Sequence, residues 1–437
     1  MARRLFLFAL VVAALVGGAV WLADRPGSVT IHWQGWRVDT SVPVLISAML
    51  AFMAVVTVLV RLVGSIIAAP GRFLAIRRER RRRQGYAALS DGLAAVAAGD
   101  RRSAGKLARR ADKLLADPVL TGLLTAQAAE LAGDEGEAEK RLSAMVERPQ
   151  TALLGLKGLL TLAQRHGDNA GALDYARRAW ALGVPVEGLA ASLFDLQARA
   201  GQWVEAEATL AEARKRRALP VEDIRHRQAL VHFERSVRAE QDGDQAGALA
   251  LAVKAHQGDF TLVEATVRAT RLLHRAGKDR KAAAALITTW QVAPHPILVE
   301  AMIALAPAET PLQRVKRLEK LVKANPDAAD GHIALAEAAL AAKLWGQART
   351  HLELAAAQRP SGGVYILLAR LEREERQDEP AAQAWLLKVA AAPGEPAWYC
   401  AACGKPADGW TSACPACGAV DGLHWRQPAQ ALLPVPV

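Results

Sequence analysis

The sequence predicts an all-α chain: two N-terminal transmembrane helices, a solenoid of helical hairpins, and a small C-terminal lobe built on a metal. Three observations carry that prediction. Two uncharged stretches open the chain, each close to the ~20 residues that cross a bilayer as a helix. One short pattern then returns every 34 residues. All four cysteines fall in one window near the end, from Cys400 to Cys417. The composition agrees. The chain is 52% hydrophobic but only 5% aromatic. Alanine and leucine supply most of its apolar mass, which favours helix and argues against a β-rich fold.

The spans are Leu5–Leu22, "LFLFALVVAALVGGAVWL", and Val42–Val60, "VPVLISAMLAFMAVVTVLV". The first has a basic start, Arg3 and Arg4, as a signal peptide would. Ala23-Asp24-Arg25-Pro26 is a poor cleavage site, however, and a second span follows at once, so an uncleaved anchor is expected. Between the spans, Val29, Ile31 and Trp33 alternate with polar residues, and Trp36 and Val38 do so again after Gln34-Gly35. That is the pattern of a small β-hairpin with tryptophans at a membrane surface. Arginine is asymmetric across the spans. Arg3 and Arg4 precede the first; Arg61, Arg72, Arg77, Arg78 and Arg80–Arg83 follow the second. The connector has only Arg25 and Arg37, balanced by Asp24 and Asp39. The positive-inside rule then puts both termini in the cytoplasm and the connector outside. Much of the net charge of +11 lies in this tract. A membrane flank explains it more simply than a nucleic-acid surface. Contact of "RRERRRR" with anionic lipid is a further use of the same charge.

From Tyr86 onward a small residue, four variable positions and an alanine recur. They read "GDRRSA" from Gly99, "GDEGEA" from Gly133, "GDNAGA" from Gly167 and "GQWVEA" from Gly201, each 34 residues on. The pattern resumes at Gly243 and Gly277, and fainter copies start at Lys343 and Gln377. A copy beginning near Glu309 ends at Pro326. One step, Gly201 to Gly243, stretches to 42 residues and predicts an insertion or a longer helix. A period of 34 is that of the tetratricopeptide repeat, a helix–turn–helix unit. Glycine suits the turn, where a positive φ is needed. The alanine permits close helix approach, and Pro326 and Pro360 stop second helices. About eight or nine units are expected, with a concave surface suited to proteins or peptides. No phosphate loop and no metalloprotease helix interrupts them. Isolated histidines such as His166 and His274 read as turn or core residues. Arg214–Arg217 reads as a solvated face, with holding an acidic partner as the alternative.

Cys400, Cys403, Cys414 and Cys417 form C-x2-C-x10-C-x2-C, with Gly404 and Gly418 after the two pairs. Each pair is a metal knuckle, and two knuckles make a tetrahedral thiolate site. Zinc is the expected ion and iron the alternative, since thiolate tetrahedra accept both. A redox dithiol needs one pair only, and disulfides are disfavoured on the reducing side of the membrane. Trp398, Trp410 and Trp425, with Tyr399, are expected to cover the metal and dock the lobe on the last repeats. The expected segments are an anchor over 1–68, a basic juxtamembrane stretch over 69–85, the repeats over 86–392, a zinc-ribbon or rubredoxin-like lobe over 393–426 and a tail over 427–437.

Taken together, the connector "GSVTIHWQGWRVDTSV", the basic "RFLAIRRERRRRQGY" and the first repeat "LSDGLAAVAAGDRRSAGKLARRA" resemble the HemY family of bacterial inner-membrane proteins. The tetracysteine end is similar to the form in α-proteobacterial relatives. The resemblance implies a multi-pass inner-membrane protein without catalysis of its own. It would be a scaffold linked to haem or tetrapyrrole synthesis, whose partners are proteins held by the repeats, with haem or porphyrin contact left open. It does not imply the flavin-dependent oxidase sharing that name, for which the chain lacks a dinucleotide fingerprint. The lipopolysaccharide assembly protein LapB shares the anchor, repeats and rubredoxin-like end, but has one span where this chain has two. Electron transfer through an iron tetracysteine site is the enzyme-class alternative.

Overall fold

The computed structural model describes residues 2–24 and 27–428. Residues 25–26, with Arg25 of the connector, and 429–437, most of the expected tail, lie outside it. The chain packs as two compact units, Met1–Ala138 and Glu139–Val437, each taken by itself below.

In the first unit, helix α1 (Ala2–Ala23) leads into strands β1 (Ser28–Trp33) and β2 (Trp36–Ser41). They pair antiparallel from Ser28↔Ser41 to Trp33↔Trp36. Gln34 and Gly35 close the hairpin with φ of 47° and 89°. Two positive φ values in a row give the turn whose twist matches that of the strands. Trp36 is exposed. Helix α2 (Val42–Ala97) then runs 56 residues, with proline in its first turn, where the missing N–H costs nothing. Its first part, Val42–Val63, is the one helix among the described residues long and apolar enough to cross a membrane.

No break follows that apolar part. The arginine tract is a continuation of α2, and the end of α2 is the first helix of the first repeat. Helices α3 (Arg101–Leu115) and α4 (Pro118–Ala132) pack on it through Ala88, Ala104, Ala108, Ala111 and Leu124.

Helix α5 (Glu135–Val146) leads into the second unit. There follow α6 (Ala152–His166), α7 (Asn169–Ala181), α8 (Leu189–Arg199), α9 (Trp203–Arg216), α10 (Val221–Gln241), α11 (Gln245–Gly258) and α12 (Val263–Arg275). Then come α13 (Asp279–Val292), α14 (Pro296–Ala304), α15 (Pro311–Ala324), α16 (Ala329–Ala341), α17 (Trp345–Gln358), α18 (Gly362–Arg376) and α19 (Glu379–Val389). These are tetratricopeptide-type hairpins, and the 34-residue register is visible atom by atom. The turn residues Gly99, Gly133, Gly167, Gly201, Gly243, Gly277, Lys343 and Gln377 all have φ between 55° and 85°. The matching alanines, Ala104, Ala138, Ala172, Ala206, Ala248, Ala282, Ala348 and Ala382, are all 0% exposed. A larger side chain there would push two helices apart. Where aspartate follows the glycine, it caps the second helix: Asp168 accepts from Gly171 N–H and Asp244 from Gly247 N–H.

Two places depart from the period. Between α14 and α15 the glycine turn is replaced by a capping box, Thr310 with Gln313, and Val315 takes the buried place. The 42-residue step is a longer helix: α10 has 21 residues, whereas α6, α8, α12, α14, α16 and α18 have 9 to 15. Its added turns lie at its start. After α19 comes a small sheet of order β4–β3–β5, made by β3 (Ala397–Cys400), β4 (Pro406–Ala407) and β5 (Leu423–Arg426).

Candidate metal centre

The two cysteine pairs are built alike. Cys400 ends β3, and its N–H donates to Lys405 O while its C=O accepts from Gly404 N–H. Cys414 repeats both bonds with Ala419 and Gly418. Gly404 and Gly418 have the same φ, 71°. Glycine after each pair is therefore required by the turn, which folds the backbone under the sulfurs. The four Sγ atoms lie within 4.8 Å of one another. Cys400 and Cys417 are 3.7 Å apart, and Cys403 and Cys414 3.9 Å. A disulfide needs ~2.05 Å. Four sulfurs held ~2.3 Å from a central ion would stand ~3.8 Å apart, which the two closest pairs already match, so the donor set suits a tetrahedral metal.

The thiols also differ in acidity in the way a cluster demands. Backbone N–H groups of Ala416 and Cys417 point at Cys414 and lower it to about 7. Burial and the neighbouring thiols push Cys417 up to about 12. A dication bound among these sulfurs would displace their protons. Of the four aromatic residues expected to cover the site, Trp398 and Trp410 pack on the buried Cys400, Cys414 and Leu423, whereas Trp425 lies against His295 and Trp398.

The lobe does not rest on the last repeats. It turns back onto α10, α12 and α14. The Trp410 ring stands edge-on to Phe233 of α10, centroids 5.2 Å apart. Trp410 joins Ala229, Leu262 and Ala265 in one apolar cluster and, with Val420, Phe194 and Leu230 in another. His295, the N-cap of α14, lies against Trp398 at 5.3 Å and Trp425 at 4.6 Å. Its Nδ1 accepts from Ile297 N–H, and burial pushes it down to about 4, so it packs as a neutral ring. Toward α18 the lobe offers Glu395, which accepts from Gly363 N–H, and Trp425, which shares a cavity wall with Val364 and Leu367. The last helix, α19, buries one residue, Ala382, and so offers an apolar lobe no floor. Ala229, Leu230 and Phe233 of α10 do, and the added turns of that helix precede them.

Those turns carry His226. Its Nδ1 is 2.5 Å from Asp259 Oδ2, and its Nε2 is 2.5 Å from Asp421 Oδ2 in the lobe. The bonds to Asp259 and Asp421 outweigh burial and lift His226 to about 10, so it is charged at neutral pH. Burial opposes ionisation of Asp259, but its bonds from His226 and Thr261 win and hold it at about 2. Glu264 of α12 and Asp195 of α8 face the same Asp421 and are raised by burial, Glu264 to about 7. Sequence reasoning missed His226, Asp421, Phe233 and His295. The 42-residue step was the signal that α10 differs. The other sites are bland: His274 bonds Asp279, and Arg216 stacks 4.4 Å over Trp180.

The family model for the HemY protein N-terminus matches residues 27–133. The probable magnetosome protein Mms48 of Magnetospirillum gryphiswaldense is 29% identical over 99% of this chain and 96% of its own length. Protein HemY of Escherichia coli K12 is 32% identical over 34% of this chain and 37% of its own length. Among solved structures, MamA of Desulfovibrio magneticus RS-1 is 17% identical over 38% of this chain and 94% of its own, with a TM-score of 0.26. A thermophilic tetratricopeptide protein of Thermus thermophilus is 20% identical over 37% of this chain and 90% of its own, with a TM-score of 0.24.

Proposed function

Residues 27–133 belong to the HemY N-terminus family, and from that premise we propose that the chain is a scaffold in the bacterial inner membrane for enzymes of haem or tetrapyrrole synthesis. It catalyses nothing itself. The repeats hold soluble partners, and the anchor keeps them at the membrane where hydrophobic intermediates collect. The observation that carries this reading is α2, one helix that is apolar over Val42–Val63 and ends as the first repeat. Whatever binds the array is tied to the membrane without a slack linker. Both termini are cytoplasmic, and α1 is the second span. A reporter fused after Val437 should therefore report cytoplasm, and one inserted near Gly35 periplasm. A C-terminal reporter found outside sinks the orientation and the case for reduced cysteines.

Cys400, Cys403, Cys414 and Cys417 hold one zinc ion, with iron as the alternative. The ion ties two turns that have almost no core of their own. It organises the lobe, and the lobe in turn covers part of the face made by α10, α12 and α14. About one metal per chain is the expected content; a red oxidised protein would assign iron, a colourless one zinc.

The test of the partner class is recovery of the full chain from solubilised membranes. Enrichment of tetrapyrrole-synthesis enzymes supports the reading, and enrichment of envelope-assembly enzymes replaces it with a LapB-like role. The end-to-end likeness to Mms48 favours a second location, a magnetosome membrane. Fractionation separates it from the inner membrane.

A further inference from the structure

Six arginines crowd Arg77–Arg83, but α2 does not present them alike. At 3.6 residues per turn, Arg78, Arg81 and Arg82 share one face with Gly85 and Tyr86. Arg77, Arg80 and Arg83 take the others, and Arg83 is paired with Glu79 at 2.9 Å. The first face lines a pocket of about 520 Å³, whose opposite wall is the α3–α4 turn. Gly85 brings that wall close: a Cβ there would sit 2.7 Å from Leu115 Cδ2. Arg81 Nη2 donates to Lys113 O at 2.8 Å and so fixes the end of α3 against α2. Arg78 has no ion-pair partner among the described residues. Leu114, Leu115 and Leu120 give the pocket an apolar floor beneath three guanidinium groups. Asp117 stands on the same wall, but its carboxylate is engaged in capping α4 through Val119 N–H.

The direction of the chain settles which end of the helices this is. Helix α2 leaves the apolar span and runs outward past the arginines, α3 runs back along it, and α4 leaves again. The α3–α4 turn is thus the point in this unit at which the chain returns nearest to the span. Between Val63 and Arg77 the helix carries a single charge, Arg72, so the arginine face is the first dense charge beyond the apolar part. A site with an apolar floor and a cationic rim matches an amphiphile with a phosphate head.

We propose that this pocket binds one anionic phospholipid, its phosphate held by Arg78, Arg81 and Arg82 and its glycerol and upper acyl carbons on Leu114, Leu115 and Leu120. This rests on α2 being a membrane anchor. The test uses the full chain in nanodiscs of phosphatidylcholine alone or mixed with phosphatidylglycerol, with retained lipid counted by native mass spectrometry. The triple variant R78Q/R81Q/R82Q should bind phosphatidylglycerol about a hundredfold more weakly, at ~1 kcal/mol for each basic residue. The triple R77Q/R80Q/R83Q removes the same charge from the other faces and should lose far less. Equal losses in the two triples would overturn the site in favour of diffuse attraction to surface charge. Arg78→Gln alone breaks no ion pair; it should weaken retention about fivefold with helicity unchanged, and no effect would also overturn the site. Displacement of the lipid by inorganic phosphate would reassign the pocket to a soluble anion. Failure to enter phosphatidylcholine nanodiscs at all would sink the anchor reading instead, and it shows in the arm that contains no anionic lipid.

Discussion

In the repeat array each turn and each close approach is held by one residue, copied about eight times. In the lobe everything converges on four sulfurs and three tryptophans. Eight alanines at 0% exposure share the work of keeping helices together, and none is indispensable to a distant pair. The lobe has three buried hydrophobic residues in its own cluster, Cys400, Cys414 and Leu423, and two of them are candidate ligands. Distributed stability degrades by degrees, and concentrated stability fails at once. A single change should therefore have very different reach in the two regions.

The largest effect is expected at the sulfurs. Cys400→Ser or Cys414→Ser should release the metal and unfold the lobe completely, because about 30 residues lie below the size that a core alone sustains, ~40. The far-ultraviolet helical signal and the membrane location should persist. Protease cleavage near Pro393–Pro396 should rise sharply, since Trp410, Trp398 and Trp425 would leave Phe233 and His295 uncovered. Metal loss without new cleavage would mean that the lobe is held by its docking contacts alone, and the contrast between the regions would fall.

The array sharpens the contrast. Ala206 of α9 is 0% exposed and packs on Phe194 and Ala198 of the preceding helix and its end. Ala206→Trp should cost ~1–3 kcal/mol through overpacking. Lys215, whose side chain is 76% exposed, should tolerate Lys215→Ala within about 0.5 kcal/mol. Thermal melts of the two variants give the difference directly. Equal losses would mean that the alanine position is not a close approach. In both variants the metal should stay bound.

These regions were not equally legible in the sequence. The array was, because its two requirements, a positive φ and a short approach, each select a residue type and recur at a fixed step. The paired-cysteine turns were for the same reason: Gly404 and Gly418 follow their cysteines as the turn demands. The seat of the lobe was not. His226 and Asp421 are 195 residues apart, and nothing in a local pattern pairs them. The continuity of α2 was hidden differently. Its arginine tract marks a boundary in charge, yet arginine is a good helix former, and the backbone continues.

The smallest effect, and the one that isolates docking from folding, is expected at His226. Among the described residues it is the only histidine bonded to carboxylates of both the array and the lobe, Asp259 and Asp421. His226→Gln keeps a donor but removes the charge, and should weaken docking by about 1 kcal/mol after solvent screening. Its pH dependence identifies it. A histidine raised from 6.5 to about 10 contributes fully below ~6.5, and that contribution fades as pH rises through about 10. Asp259 works in the other sense: held at about 2, it contributes above ~3.8 and is lost as pH falls through about 2. Glu264, raised to about 7, binds its proton more tightly folded than unfolded, so it withdraws support as pH climbs from ~4.5 through 7. The folded array with its docked lobe should thus lose stability in two steps as pH rises, the lower from Glu264 and the upper from His226. Cleavage at Pro393–Pro396, followed from pH 6 to pH 10, should rise in the wild type and stay nearly flat above pH 7 in His226→Gln. A parallel rise in both proteins would assign the alkaline step to the rest of the chain and reduce His226 to a packing residue.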